Sequence, residues 1–155
     1  MAIELDELDR RILDQLQKDN RLSTQELAEQ VNSSAPTCLR RVKRLRDEGV
    51  IIGDVCVVDP SAIGRRMTMI VEVTLERERP EIVELFKQAV QSCEQISLCY
   101  YVTGDVDFVL IVHVADMEEY EGIIDRIFHQ NRNIKWFKTL ISIRRIKHAS
   151  HLPVL

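Results

Sequence analysis

Five basic side chains, Arg40, Arg41, Lys43, Arg44 and Arg46, follow one another with no acid among them. On an ordinary helix such a run is solvated surface. On a helix offered to DNA it is a means of recognition, because an Arg donates two hydrogen bonds to guanine O6 and N7 in the major groove. Thr37 and Arg41 lie one helical turn apart at the start of this stretch and are the expected base readers. Arg40, Lys43 and Arg44 are expected to neutralise phosphates, contacts that position the protein without reading sequence. Ser23 and Thr24, ahead of the preceding helix, are placed to offer backbone N–H groups to a phosphate.

These side chains need a scaffold, and the first fifty residues describe one. Asp6 is suited to cap a helix running to about Lys18, with Leu8, Ile12, Leu13 and Leu16 on one face. Ser23 and Glu26 form a capping box for a short second helix that buries Leu27, Ala28 and Val31. Asn32-Ser33-Ser34 is a tight turn, after which Ser34 caps a third helix from Ala35 to Glu48. Pro36 sits in its first turn, where a missing N–H costs little. On that helix Cys38, Leu39, Val42 and Leu45 are expected inward, with Thr37, Arg40, Arg41, Lys43 and Arg44 outward. Three helices with a short link between the last two outline a helix-turn-helix. Residues 50–58 read as a strand leaving it, and Asp59-Pro60-Ser61 as a turn in the linker.

From Met67 the pattern alternates. A strand to Leu75, a helix from Pro80 to Cys93 burying Ile82, Leu85, Phe86, Ala89 and Val90, and strands Ile96–Thr103 and Asp107–Val114 come first. A helix from Asp116 to Gln130, with an Asp116/Glu119 capping box, and a long strand from Ile134 to Lys147 complete the chain. The order βαββαβ is that of a ferredoxin-like sandwich. The expected class is therefore α+β: a helix-turn-helix over 1–50, a linker strand and hinge over 51–66, and the ferredoxin-like domain over 67–155. Val109 and Ile111 make the second face of one strand apolar as well, so the uncovered sheet face is expected to meet a second copy of the chain.

The 155 residues carry a formal charge of -4, with acids crowded on the first helix (Glu4, Asp6, Glu7, Asp9, Asp14). Faces away from DNA are then expected to be acidic. The longest apolar stretch, Val106–Ala115, is too short to span a membrane, and the acidic start is unlike a signal peptide, so a cytoplasmic protein is expected. Cys38, Cys56, Cys93 and Cys99 form no CxxC pair and read as small buried hydrophobes; His148 and His151 read as surface residues. Neither GxGxxG, P-loop, GxSxG nor HExxH occurs, and no catalytic residue or metal ligand is assigned.

Three stretches, LDELDRRILDQLQKDNRLSTQELAEQV, SSAPTCLRRVKRLRDEGVI and YYVTGDVDFVLIVHV, occur in that order. With them the sequence resembles the Lrp/AsnC, or feast/famine, family of bacterial and archaeal regulators over essentially its whole length. The resemblance implies a winged-type helix-turn-helix and dimers that commonly assemble into octamers. It also implies regulation by amino acids bound between subunits; with no unassigned charge near residues 102–107, leucine or methionine is favoured. It points to the Val102, Thr103, Gly104, Asp105 and Asp107 segment as the ligand loop. Backbone N–H groups near Gly104 suit an amino acid's carboxylate, and Asp105 suits its ammonium. The same segment has the makings of a hairpin turn. Tyr100 and Thr139 are expected as pocket walls. The alternative is a sirohaem decarboxylase-like enzyme of the same two-domain plan; His113 and His129 show no converging cluster in the sequence that would favour it.

Overall fold

The computed structural model describes residues 3–76, 79–148 and 151–154, which fall into two compact units, 1–56 with 146–155 and 57–145. The outer limits expected for the two domains, at residues 1 and 155, lie outside the described residues.

The first unit is helical: α1 (Glu7–Lys18), α2 (Thr24–Gln30) and α3 (Ala35–Asp47). Each start is fixed by a side chain. Asp6 accepts from Asp9 N at 2.9 Å while Asp9 accepts from Asp6 N at 3.1 Å. Ser23 and Glu26 bond reciprocally at 3.2 and 2.8 Å, and Ser34 caps α3 through Thr37 N. These satisfy N–H groups that a helix start otherwise leaves open. Gly49 ends α3 with a φ of 72°, a left-handed conformation that glycine adopts without steric cost. Ile12, Leu13, Leu27, Ala28, Val31, Cys38 and Leu45 form the core. Leu39, expected inward, is 62% exposed, since the buried stripe of α3 runs through Cys38 and Leu45 with Val42 beside it.

Two expectations fail around this unit. Residues 50–58 form no strand: a strand needs a neighbour for its N–H and C=O groups, and here these residues have none among the described strands. The final strand stops at Ile141 rather than Lys147. The tail beyond it does not belong to the sheet. Gln17 Nε2 donates to the Leu152 carbonyl at 3.0 Å, Leu152 N donates back to Gln17 Oε1 at 2.7 Å, and Val154 packs on the helical core. His151 Nε2 lies 3.0 Å from Asp14, so it is a tie to α1 rather than idle surface.

The second unit has the expected βαββαβ order: β1 (Met67–Leu75), α4 (Pro80–Gln91), β2 (Ile96–Tyr101), β3 (Phe108–Val114), α5 (Met117–Ile123), a π-helical turn (Ile124–His129) and β4 (Ile134–Ile141). The sheet is antiparallel in the order β2-β3-β1-β4. Alternate residues of β1 and β3 (Met69, Val71, Val73, Phe108, Leu110, Val112) are buried in one core with Phe86, Val90, Ile123 and Phe128 of the helices. On α4 the inward positions are Val83, Phe86 and Val90, while Leu85 is 63% exposed and lies outside the core. The α5 box is half made, because Asp116 accepts from Glu119 N but Glu119 accepts from Ala115 N instead. Two cysteines, Cys38 and Cys93, are buried as expected of small hydrophobes, but Cys56 and Cys99 are exposed.

Candidate functional site

The basic residues of α3 divide into two kinds. Arg41 Nη1 donates to both carboxylate oxygens of Asp9 at 3.3 Å and lies 2.7 Å from Asp6 Oδ2. Arg44 Nη2 donates to Asp9 as well, and its Nε lies 3.8 Å from Glu48. Asp9 has no exposed surface, so a charge that would be costly alone is met by two guanidinium groups. Arg41 and Arg44 were expected outward; instead each folds back on α1. The hydrogen bond that Arg41 donates to Asp6 leads the causes that hold the Arg41 pKa above its ordinary value. Asp6 is lowered, chiefly by the Asp9 N–H and further by Arg41.

Arg40 and Lys43, by contrast, are exposed and make no ion pair with any described residue. Thr37 is half-buried, its hydroxyl accepting from Ser34 Oγ at 2.8 Å. Ser34 and Pro36 are exposed beside it. Ser23 has committed its own N–H to Glu26, leaving exposed Thr24 as the better-placed donor at the start of α2. Asp6, expected only as the cap of α1, and Asp9, expected only among the acids of the first helix, are the partners of Arg41 and Arg44. Their signal was readable: Asp9 falls on the same helical face as Ile12, Leu13 and Leu16, where an acid needs a partner.

In the second unit, residues 102–107 form a loop between β2 and β3. Val102 N donates to the Asp107 carbonyl at 2.8 Å, and Asp107 N donates to the Val73 carbonyl at 2.9 Å. The Asp107 carboxylate accepts from Leu75 N at 2.6 Å, so this side chain ties the loop to β1. Thr74 Oγ1 donates to the Asp105 carbonyl at 3.5 Å. Thr103, Gly104 and Asp105 remain exposed at the tip, with Gly104 at a φ of 128°. That conformation favours glycine and leaves the backbone N–H groups unobstructed.

Tyr100 and Thr139 do not meet. Tyr100 pairs with Val109, which pairs with Glu72, on the face away from the helices. Thr139 pairs with buried Val71, and its hydroxyl lies 2.5 Å from Tyr120 OH on the helix-covered face. The two strands are also opposite edges of the sheet, about 14 Å apart at the usual strand spacing. One subunit therefore does not bring these two expected walls into one pocket.

Elsewhere, Glu119 joins Arg65, Gln95 Nε2 (3.0 Å) and Ala115 N (2.8 Å). The Ala115 N–H, with Arg65, lowers its pKa to about 2. His113 on β3 is lowered by burial and by Arg145, and it bonds Thr68 at 3.0 Å. Among the described residues no three His, Cys, Asp or Glu side chains gather to hold a metal ion, and no helix is long and apolar enough to cross a membrane.

These features can be set beside known proteins. Residues 5–52 match the winged helix-turn-helix DNA-binding family, and residues 68–152 match the Lrp/AsnC ligand binding domain. A helix-turn-helix transcriptional regulator of Sinorhizobium fredii is 49% identical over 99% of this chain and 90% of its own length. The leucine-responsive regulatory protein of Escherichia coli is 34% identical over 97% of this chain and 92% of its own. Among solved structures, a transcriptional regulator of Neisseria meningitidis in complex with L-Met superposes with a TM-score of 0.89 at 27% identity, over 97% of each chain. An AsnC family regulator of Agrobacterium tumefaciens gives 0.89 at 30% identity, over 96% of this chain and 97% of its own. The chain belongs to the Lrp/AsnC family of DNA-binding transcriptional regulators, with a winged helix-turn-helix followed by the family's ligand-binding domain.

Proposed function

We propose that α3 enters the DNA major groove and that a small amino acid, leucine or methionine, adjusts the protein's assembly or DNA binding. The observation that carries the DNA half is the sorting of basic residues on α3. Arg40 and Lys43 stand free and exposed, while Arg41 and Arg44 hold the helix in place through Asp9. Arg40 and Lys43 meet phosphates, with Thr24 N–H as a further donor. Thr37 and Arg41 remain the proposed base readers, Arg41 by exchanging exposed Asp6 for a guanine edge.

The effector half rests on the loop. Open N–H groups around Gly104 receive the carboxylate and Asp105 receives the ammonium, while Asp107 shapes the loop. The Neisseria regulator bound to L-Met and the relatives named leucine-responsive favour an uncharged side chain. Because Tyr100 and Thr139 lie on opposite faces, a pocket that uses both draws them from different subunits.

A homodimer, assembling further to an octamer, completes the reading. The uncovered sheet face carries Leu98, Tyr100, Trp136 and Leu140, each at least 40% exposed, and segment 52–58, which joins no strand, leaves Ile52 96% exposed. These are surfaces that a second copy covers. A cytoplasmic, non-enzymatic protein fits its relatives, which are named as transcriptional regulators. Isothermal titration with leucine, methionine and a charged amino acid tests the effector. Heat from leucine or methionine alone is expected, and silence from all three refutes amino-acid sensing.

A further inference from the structure

From Arg126 to the C-terminus the chain has seven Lys and Arg residues and no Asp or Glu. The preceding 125 residues therefore carry a formal charge of -11 within a whole of -4. The expectation that surfaces away from α3 are acidic fails over this stretch, most clearly at the turn leading into β4.

That turn is firmly held. Glu76 N donates to the Asn133 carbonyl at 2.7 Å, Asn133 N donates to Asn131 Oδ1 at 3.0 Å, and Ile134 N donates to the Asn131 carbonyl at 3.1 Å. Arg132 and Lys135 are exposed on it and help line a hollow of about 460 Å³ with Phe128, Phe137 and the partly exposed Trp136. Of the acids nearby, Asp125 lies 2.8 Å from His129 and Glu72 lies 3.6 Å from Lys138, while exposed Glu76, whose N–H holds the turn, makes no ion pair with Arg132 or Lys135. Arg132 and Lys135 have no carboxylate within ion-pair distance among the described residues.

We infer that Arg132 and Lys135 form a second contact for the phosphate backbone of double-stranded DNA, separate from α3. The inference rests on the reading of α3 as a DNA-binding helix. Once α3 is seated, flanking duplex is tethered near the rest of the protein at high effective concentration. The acidic balance of the preceding residues disfavours contact with that duplex elsewhere, whereas a pair of unpaired cations attracts it and releases counterions. An Arg fork beside a Lys point charge is chemistry suited to phosphodiester oxygens.

The test is the salt dependence of binding by the full chain to a mixed-sequence duplex of about 150 base pairs, long enough to offer flanking phosphates on any docking geometry. The R132Q/K135Q double variant should lower the slope of log affinity against log salt by about 2 for each bound subunit, since each neutralised phosphate adds about 0.9 to that slope. Thermal midpoint and sedimentation should match the parent. K43Q serves as the α3 control. An unchanged slope in the double variant overturns the inference, and so does a slope that changes only together with sedimentation, which would make the patch a contact between copies. A parent chain that fails to bind the duplex at all would instead overturn the reading of α3.

Discussion

Asp9, with no exposed surface, accepts a hydrogen bond from Arg44 that joins α1 to α3. This pairing makes α1 more than a supporting element. It fixes the roll of α3, and so decides which of its cations face solvent. Replacing Asp9 with Asn keeps the volume but leaves Arg41 and Arg44 with a neutral partner. Stability should fall by about 1–3 kcal/mol, the cost of unmatching a largely buried charge cluster whose arginines retain some solvent. Urea denaturation reads this directly, and an unchanged midpoint would show that the clasp contributes nothing.

Arg41 and Lys43 should respond differently to neutralisation. Lys43→Gln removes an exposed, unpaired cation, so affinity for all DNA should drop together and the salt slope should flatten by about 1, with stability unchanged. Arg41→Gln should reduce stability as well as DNA binding, because its guanidinium joins Asp6 and Asp9. Paired denaturation and anisotropy titrations separate the two; identical behaviour would contradict the division.

Gly104 is surrounded by open space, yet its φ of 128° is one that other residues adopt at a cost. Gly104→Ala should therefore lower stability by about 1 kcal/mol without any steric clash. It should also weaken leucine or methionine binding by crowding the N–H groups at the loop tip. Calorimetry on the variant checks both, and unaltered amino-acid affinity would move the site away from this loop.

Glu119 gives a pH signature. Its folded pKa of about 2 lies below the ordinary 4.5, so its contribution to stability is fully present above pH 4.5 and is lost as pH falls toward 2. Discounted for partial exposure, that contribution is about 1 kcal/mol. Glu119→Gln should lower the midpoint at neutral pH and flatten the acid limb of the stability curve. A variant with the parent's full acid dependence would assign that limb to other carboxylates.

Much of the fold was readable because local signals agreed. Ser23 and Glu26, Ser34, and the alternation in Phe108–Val114 each declare an element by chemistry confined to a few residues. Segment 50–58 reads as a strand because apolar β-branched residues signal a preference, while pairing depends on a neighbour that the sequence does not name. The destination of Arg41 and Arg44 is hidden for a similar reason. Their partner Asp9 is 32 and 35 residues away, and only the packing of α3 on α1 brings them together. Tyr100 and Thr139 both sit on strands, but face and edge depend on register, which puts them apart.

We propose that this protein couples DNA binding through α3 to an amino acid at the Gly104 loop. The coupling is tested most directly by measuring affinity for a genomic fragment captured by the parent chain, with and without leucine or methionine. A change in affinity or stoichiometry with one of these amino acids is expected, abolished by Gly104→Ala and retained in scale by Lys43→Gln despite its weaker binding. A fragment bound with the same affinity and stoichiometry in the presence of either amino acid would contradict it.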